Sequence, residues 1–175
     1  MVKTITLKWL QSKGACKKSL EAWQKETDHG TLATLNRLVV KNPEWGNWLI
    51  CRLMNKKQAV QYAIFAAEQV IDIYEGKYPN DKRPRNAIEA AKAYLKNPSK
   101  KTKADAVYAA VYAADAADTA YAYDDAVYAA AYAAYAAADT TAYAADAATY
   151  TYAAAERRKM KAKILKYGIG LLEQS

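Results

Sequence analysis

Between Pro98 and Gly168 the chain contains neither glycine nor proline, and most of that stretch is Ala, Tyr, Asp and Thr. Nothing in it stops a helix, and Ala has the highest intrinsic helix propensity of any residue. One helix of about 65–70 residues would reach roughly 100 Å at 1.5 Å per residue, too long for a compact domain of 175 residues. The stretch must either project as an arm or fold back on itself. It can turn at "DTAYAYDD" (118–125) and "DTT" (139–141), where Asp and Thr side chains compete for backbone hydrogen bonds. A register runs through it: Asp118, Asp125, Tyr132, Asp139 and Asp146 recur every seven residues, as do Tyr121, Tyr128 and Tyr135. Seven-residue spacing with Ala between suits closely packed helices with Tyr at the seams, which argues against disorder. The threonines (119, 140, 141, 149, 151) lack the regular spacing of a helical ice-binding face.

Charge divides the chain in the same place. Residues 104–155 hold seven Asp and no Lys or Arg, so they carry −7; with a net charge of +8, the remainder carries +15. The expected organisation is a basic helical body, 1–103, and an Ala/Tyr/Asp-rich arm, 104–175, packed on it as one unit. That mutual attraction argues against nucleic acid as the partner that the positive sum alone would suggest. Fifteen Tyr stand against one Phe; rings with a polar tip suit helix interfaces or a lined cleft better than a dry core. Cys16 and Cys51 are the only cysteines, too few for a disulfide scaffold or a zinc site, and are expected to be buried, inert thiols in a reducing cytoplasm. The first residues form no apolar signal segment, and no 18-residue window is apolar without charge, so no membrane span is expected.

Every segment reads as helix. Short helices are predicted over 4–13, ending at Gly14, and over 16–27; a third covers 31–41. In "NPEW", Asn42 is placed to cap and Pro43 to open a fourth helix bearing Trp45 and Trp48. Val60, Ile64, Ala67, Ile71, Tyr74 and Tyr78 form one continuous apolar stripe, predicting a single fifth helix that stops near Gly76 and Pro79. A sixth begins around Pro84 and stops at "NPSKK". The fold class is therefore all-α: a multi-helix bundle with long Ala-rich C-terminal helices, antiparallel or projecting. Their close-packing faces serve a homo-oligomer or an intramolecular hairpin equally well.

Catalytic machinery is scarce, and the reading is a non-enzymatic protein without cofactor or metal. His29, the only histidine, stands in a loop with no partner for a triad or a metal site. Glu68, Asp72 and Glu75 share a helical face but lack the i+3 histidine of carboxylate metal sites, so an ion-paired or solvated face is the better reading. The most promising cluster is "KYPNDKRPRNA". Lys82, Arg83 and Arg85 gather at a helix start, where free amides and the positive end of the dipole favour an anion. Tyr74 and Tyr78 just upstream could stack on a base. The alternative is that the two arginines pair with acids on a neighbouring helix. The runs 96–103 and 156–163 read as solvated hinges.

Residues 62–95, "YAIFAAEQVIDIYEGKYPNDKRPRNAIEAAKAYL", resemble the signature of an all-helical putative immunity protein family found in bacteria and phages. The matching features are Ala67-Glu68, the Tyr78-Pro79 turn, Asp81-Lys82-Arg83-Pro84-Arg85 and Ala87-Ile88-Glu89-Ala90-Ala91. Many relatives carry histidines in the Ala-rich helix; Tyr and Asp stand there instead, as in phage-borne versions. The resemblance implies a neutralising protein working in the cytoplasm, that of the host cell if phage-encoded. Two partners fit. One is a nucleotide-like immune signal, sequestered through its phosphate by the Lys82, Arg83, Arg85, Tyr74 and Tyr78 cluster in phage counter-defence. The other is a cognate protein toxin, bound directly through an extended surface such as the acidic arm.

Overall fold

The computed structural model describes residues 2–119 and 154–174. Among these are nine α-helices and no strand, the all-α class that the sequence predicts. α1 (Leu7–Ser12) opens on Thr6, whose hydroxyl accepts the Trp9 amide hydrogen at 3.1 Å. The chain leaves α1 through Gly14, whose φ of 76° is a backbone region that suits glycine. α2 (Lys17–Gln24) starts from Cys16 and buries none of its residues fully. The segment before α1 is pinned to α3 (Thr31–Lys41): the Thr31 hydroxyl accepts from the Ile5 amide at 3.2 Å and donates to the Lys3 carbonyl at 2.9 Å. α4 (Pro43–Leu53) begins as predicted, with the Asn42 side chain accepting the Trp45 amide hydrogen at 3.1 Å and Pro43 in the first turn.

The expected fifth helix is two. α5 (Lys56–Glu68) opens on a reciprocal cap in which the Asn55 and Gln58 side chains each accept the other's amide hydrogen, at 3.0 and 2.9 Å. It ends at Gln69 and Val70, and α6 (Ile71–Lys77) follows. At the break, the amides of Gln69 and Val70 donate to carbonyls three residues back, at 3.2 and 3.1 Å, while the Gln69 side chain donates to the Phe65 carbonyl at 3.0 Å. Val70 in that turn is β-branched, as are Ile71 and Ile73 at the start of α6, a residue class whose stiffness lowers helix propensity. The apolar stripe crosses the break intact: Val60, Ile64, Ala67, Ile71 and Tyr74 are all buried.

α7 (Arg83–Lys96) and α8 (Lys100–Thr119) pack along each other as a hairpin across residues 97–99. The side chains of Ser99 and Thr102 accept each other's amide hydrogens, at 3.1 and 3.0 Å, fixing the start of α8. Residues 97–99 of the run 96–103 thus form the hinge expected. The run 156–163 does not. It lies inside α9 (Ala154–Glu173), and Lys161 makes an ion pair with Glu44 of α4 at 2.9 Å.

α9 packs on α3, α4 and α5 and joins the core. Ile164, Leu165, Ile169 and Leu172 are buried together with Leu35, Ile50, Val60 and Tyr62, each such side chain contributing about 1.5–3 kcal/mol. Close approach is built in at Gly168, where a Cβ would lie 2.7 Å from Tyr62 Cε2 and 2.9 Å from Ile50 Cγ2. The Gln58 side chain donates to the Leu171 carbonyl at 2.6 Å, locking α5 to the end of α9. Composition alone assigns residues 164–172 to the arm, and the structure makes them part of the central core. The turn at 139–141, most of the turn at 118–125 and nearly all of the seven-residue register lie outside the described residues.

Two tyrosines depart from the interface role that composition suggests. Tyr62 and Tyr74 are among the largest fully buried side chains. The hydroxyl of Tyr62 donates to Asn47 Oδ1 at 2.8 Å and that of Tyr74 to Asp81 Oδ2 at 2.9 Å, so each ring is buried with its polar tip satisfied. Among the described residues no helix is long and apolar enough to cross a membrane.

Candidate functional site

The α6–α7 corner brings the predicted residues together, but in a different arrangement from an open anion seat. Arg83 turns back onto Asp81: its Nε lies 3.0 and 3.1 Å from the two carboxylate oxygens, and its Nη2 lies 2.6 Å from Oδ2. Asp81 Oδ1 also accepts the Arg83 amide hydrogen at 3.0 Å, so a carboxylate of the chain itself already occupies this helix start. These bonds to Arg83, with help from the Tyr74 hydroxyl, lower the Asp81 pKa to about 2. Arg85 reaches across to α6, donating from Nε and Nη2 to Glu75 at 3.0 and 2.6 Å and to Asp72 at 3.2 Å. Hydrogen bonding from Arg85 holds the Glu75 carboxyl below its ordinary range. Lys82 Nζ stands 3.9 Å from Glu75. Three cations therefore face three carboxylates, and the corner is internally neutral.

The two tyrosines do not offer a stacking platform either. Their rings are 4.9 Å apart and tilted at 42°, but Tyr74 is only 1% exposed. Tyr78 is half-buried, with Lys77 Nζ 5.2 Å from its ring centre. The pairing of both arginines with acids, the alternative raised by the sequence, is what the geometry contains. Glu68 is salt-bridged to Lys92 at 2.9 Å. It lies on α5, whereas Asp72 and Glu75 lie on α6, so the three carboxylates do not share one helix.

His29 is exposed, as expected of a loop residue, and is held in place: its ring stacks on Trp23 at 4.1 Å and its Nε2 lies 3.0 Å from the Trp23 carbonyl oxygen. The expectation of two buried, inert thiols fails for Cys16, which is exposed at the start of α2. Its thiol lies 3.4 Å from the Ser19 hydroxyl, and that contact, with the Ser19 amide, pulls its pKa below the ordinary value. Cys51 is half-buried.

One feature has no counterpart in the sequence reading: a cavity of about 410 Å³ bounded by the α1–α2 connection, α2, α3 and α4. Trp23 of α2, Trp45 and Trp48 of α4 and both cysteines line it. Trp45, Trp48 and Arg52 stand three and four residues apart along α4, on one helical face. That spacing was legible, whereas its continuation onto α2 is tertiary. Arg52 lies over the Trp48 ring, with Cζ 4.1 Å from the ring centre. Its Nε donates to the Lys13 carbonyl at 3.3 Å and its Nη1 to the Trp48 carbonyl at 3.4 Å. On the α3 side, Arg37 and Lys41 share one carboxylate, Glu26, at 3.4 and 3.5 Å. Glu44, also in the wall, is bound by Lys161, which lowers its pKa.

Two comparisons are negative: no curated protein and no solved structure matches the chain. A family model does match, from the middle of α4 through α5, α6, α7 and α8 into α9, and it includes the neutral α6–α7 corner. Trp23, Trp45 and Trp48 of the cavity precede the matched stretch. Over residues 49–167, and so over well more than half its length, the chain belongs to the family of the Imm-5 like putative immunity protein.

Proposed function

We propose that this member of the family acts by binding rather than by catalysis, neutralising a cognate protein toxin through direct contact. Membership of a family described as immunity proteins supports the reading. The α6–α7 corner is consistent with it: Lys82, Arg83 and Arg85 are balanced by Asp72, Glu75 and Asp81 and hold two helices in fixed register, as a rigid binding surface requires. The test is co-expression with protein toxins of the same genome, read as growth rescue, followed by titration of the purified toxin. Binding predicts loss of toxin activity that is stoichiometric, immediate and accompanied by a stable complex. Progressive loss at substoichiometric protein would mark an enzyme, and an unaffected toxin would overturn the reading.

A second reading is favoured by one specific observation, the cavity walled by tryptophans. It is capture of a phosphate-bearing nucleotide immune signal by a phage-encoded counter-defence protein. This reading no longer draws on Arg83 and Arg85, whose guanidinium groups are engaged by carboxylates of the chain. Both readings place the work in the cytoplasm.

A further inference from the structure

We propose that the cavity between α2, α3 and α4 is a binding site for a small planar aromatic anion of mononucleotide size, its ring held among the indoles and its anionic group by Arg52. The proposal rests on the second reading above, whose site and ligand class it specifies, and is independent of toxin binding, which such a ligand neither requires nor prevents.

Protein interiors are close-packed and tolerate few voids larger than a water molecule. A space of about 410 Å³ falls instead in the range of preformed small-molecule sites. Its wall uses three of the four tryptophans in the chain, brought together from two helices. Indoles in the wall of a cavity suit a flat aromatic ring, which they can contact without reading its identity. One side of the site is only lightly closed, since α2 buries none of its residues fully.

Charge selects the sign of the ligand. Among the cations of the wall, Arg37 and Lys41 share the single carboxylate of Glu26, and Glu44 is claimed by Lys161. Arg52 is bonded to backbone carbonyls alone, and no carboxylate among the described residues pairs with it. Its guanidinium is oriented by those two carbonyls and by the Trp48 face beneath it, beside the stacking surface. A cationic ligand would meet this charge with no spare carboxylate to receive it. A neutral ring would make no use of the Arg52 guanidinium. An aromatic ring bearing a phosphate or carboxylate satisfies both the indoles and Arg52.

The experiment uses the full chain and four probes, AMP, GMP, CMP and UMP, with adenosine and inorganic phosphate as partial ligands. Binding is read as quenching of intrinsic tryptophan fluorescence and as a raised thermal midpoint. The expected result is saturable quenching by at least one mononucleotide, which also slows labelling of Cys16 by a thiol reagent. Arg52→Gln should weaken that binding about ten- to a hundredfold, the worth of a charge-assisted hydrogen bond, and Arg52→Lys should restore part of it. Arg85→Gln should leave it unchanged. The proposal is overturned if no probe quenches at millimolar concentration, if adenosine binds as well as AMP, or if Arg52→Gln binds like wild type. Loss on Arg85→Gln with Arg52→Gln unaffected would move the anion to the α6–α7 corner. None of these outcomes depends on toxin binding, which is scored separately by complex formation.

Discussion

Replacing Asp81 tests whether the α6–α7 corner is a structural joint or a ligand seat. The Asp81 carboxyl has a folded pKa of about 2 against an ordinary value of 3.8. At 1.36 kcal/mol per pKa unit this difference amounts to about 2.4 kcal/mol. Arg83 is 36% exposed and Asp81 20%, so water screens part of it and about 1–2 kcal/mol remains. Asp81→Asn loses the charge and keeps one carbonyl acceptor, enough for either the Arg83 amide or the Tyr74 hydroxyl, and should cost at least that amount at pH 7. Asp81→Ala also orphans a hydroxyl on a side chain only 1% exposed, adding about 1–3 kcal/mol. For a chain of this size the alanine variant should melt roughly 5–15 °C lower. Because the folded pKa is depressed, the charge contribution is complete above 3.8 and is lost as pH falls through about 2. The difference between wild type and Asp81→Asn, measured by urea unfolding, should therefore be constant from pH 7 to 5 and shrink below pH 4. If both variants unfold within about 0.5 kcal/mol of wild type at pH 7, the carboxylate is dispensable. Arg83 would then be available to an incoming anion, contrary to the structure's assignment.

Gly168→Ala places a methyl 2.7 Å from Tyr62 and 2.9 Å from Ile50 and should cost about 1–3 kcal/mol by chemical denaturation. Gly170→Ala, where a Cβ meets nothing within 4 Å, should be neutral or stabilise by up to about 1 kcal/mol. Equal effects at the two positions would refute the close approach of α9 to α5. Cys16 should react with thiol reagents at lower pH than an ordinary cysteine, and Ser19→Ala should move the midpoint of its rate profile upward, because the Ser19 hydroxyl is the chief cause of the lowered pKa. An unmoved midpoint would discount that hydrogen bond. Thr31→Val removes both bonds that hold residues 3 and 5 on α3 and should cost about 1–3 kcal/mol, with faster hydrogen exchange at Ile5.

Local signals were the legible ones. Asn42 and Pro43 placed the start of α4, and Gly14 the end of α1, because caps and breakers act within one turn. The stripe from Val60 to Tyr74 identified a buried face correctly, yet it concealed the break at Gln69 and Val70, since the period of the stripe continues across a tightened turn. Residues 164–172 were obscured by the company they keep: a segment read by the composition upstream of it looks like arm, although Ile164, Leu165, Ile169 and Leu172 repeat at core spacing. In the cavity, Trp45, Trp48 and Arg52 were visible as one face of a helix. Trp23 arrives from α2 and Glu26 from the segment just after it, and no periodicity along α4 announces them.

The arginines show why residue type and position at a helix end are insufficient to find an anion site. Arg83, at the start of α7, has a carboxylate two residues upstream whose geometry accepts both its amide and its guanidinium. Arg85 finds Glu75 and Asp72 on the preceding helix, 10 and 13 residues away, a match that folding alone creates. In each case an acid of the chain occupies the place that a phosphate would take, and an external anion would have to displace it, leaving a carboxylate without its cation. Arg52 lies mid-chain, near a helix end that carries no anion-binding pattern, and so attracts no notice in the sequence. Its partners are two carbonyls and an indole face, which orient the guanidinium without cancelling its charge. The availability of a cation thus depends on its complement of carboxylates in the folded chain. By that criterion the anion should go to Arg52.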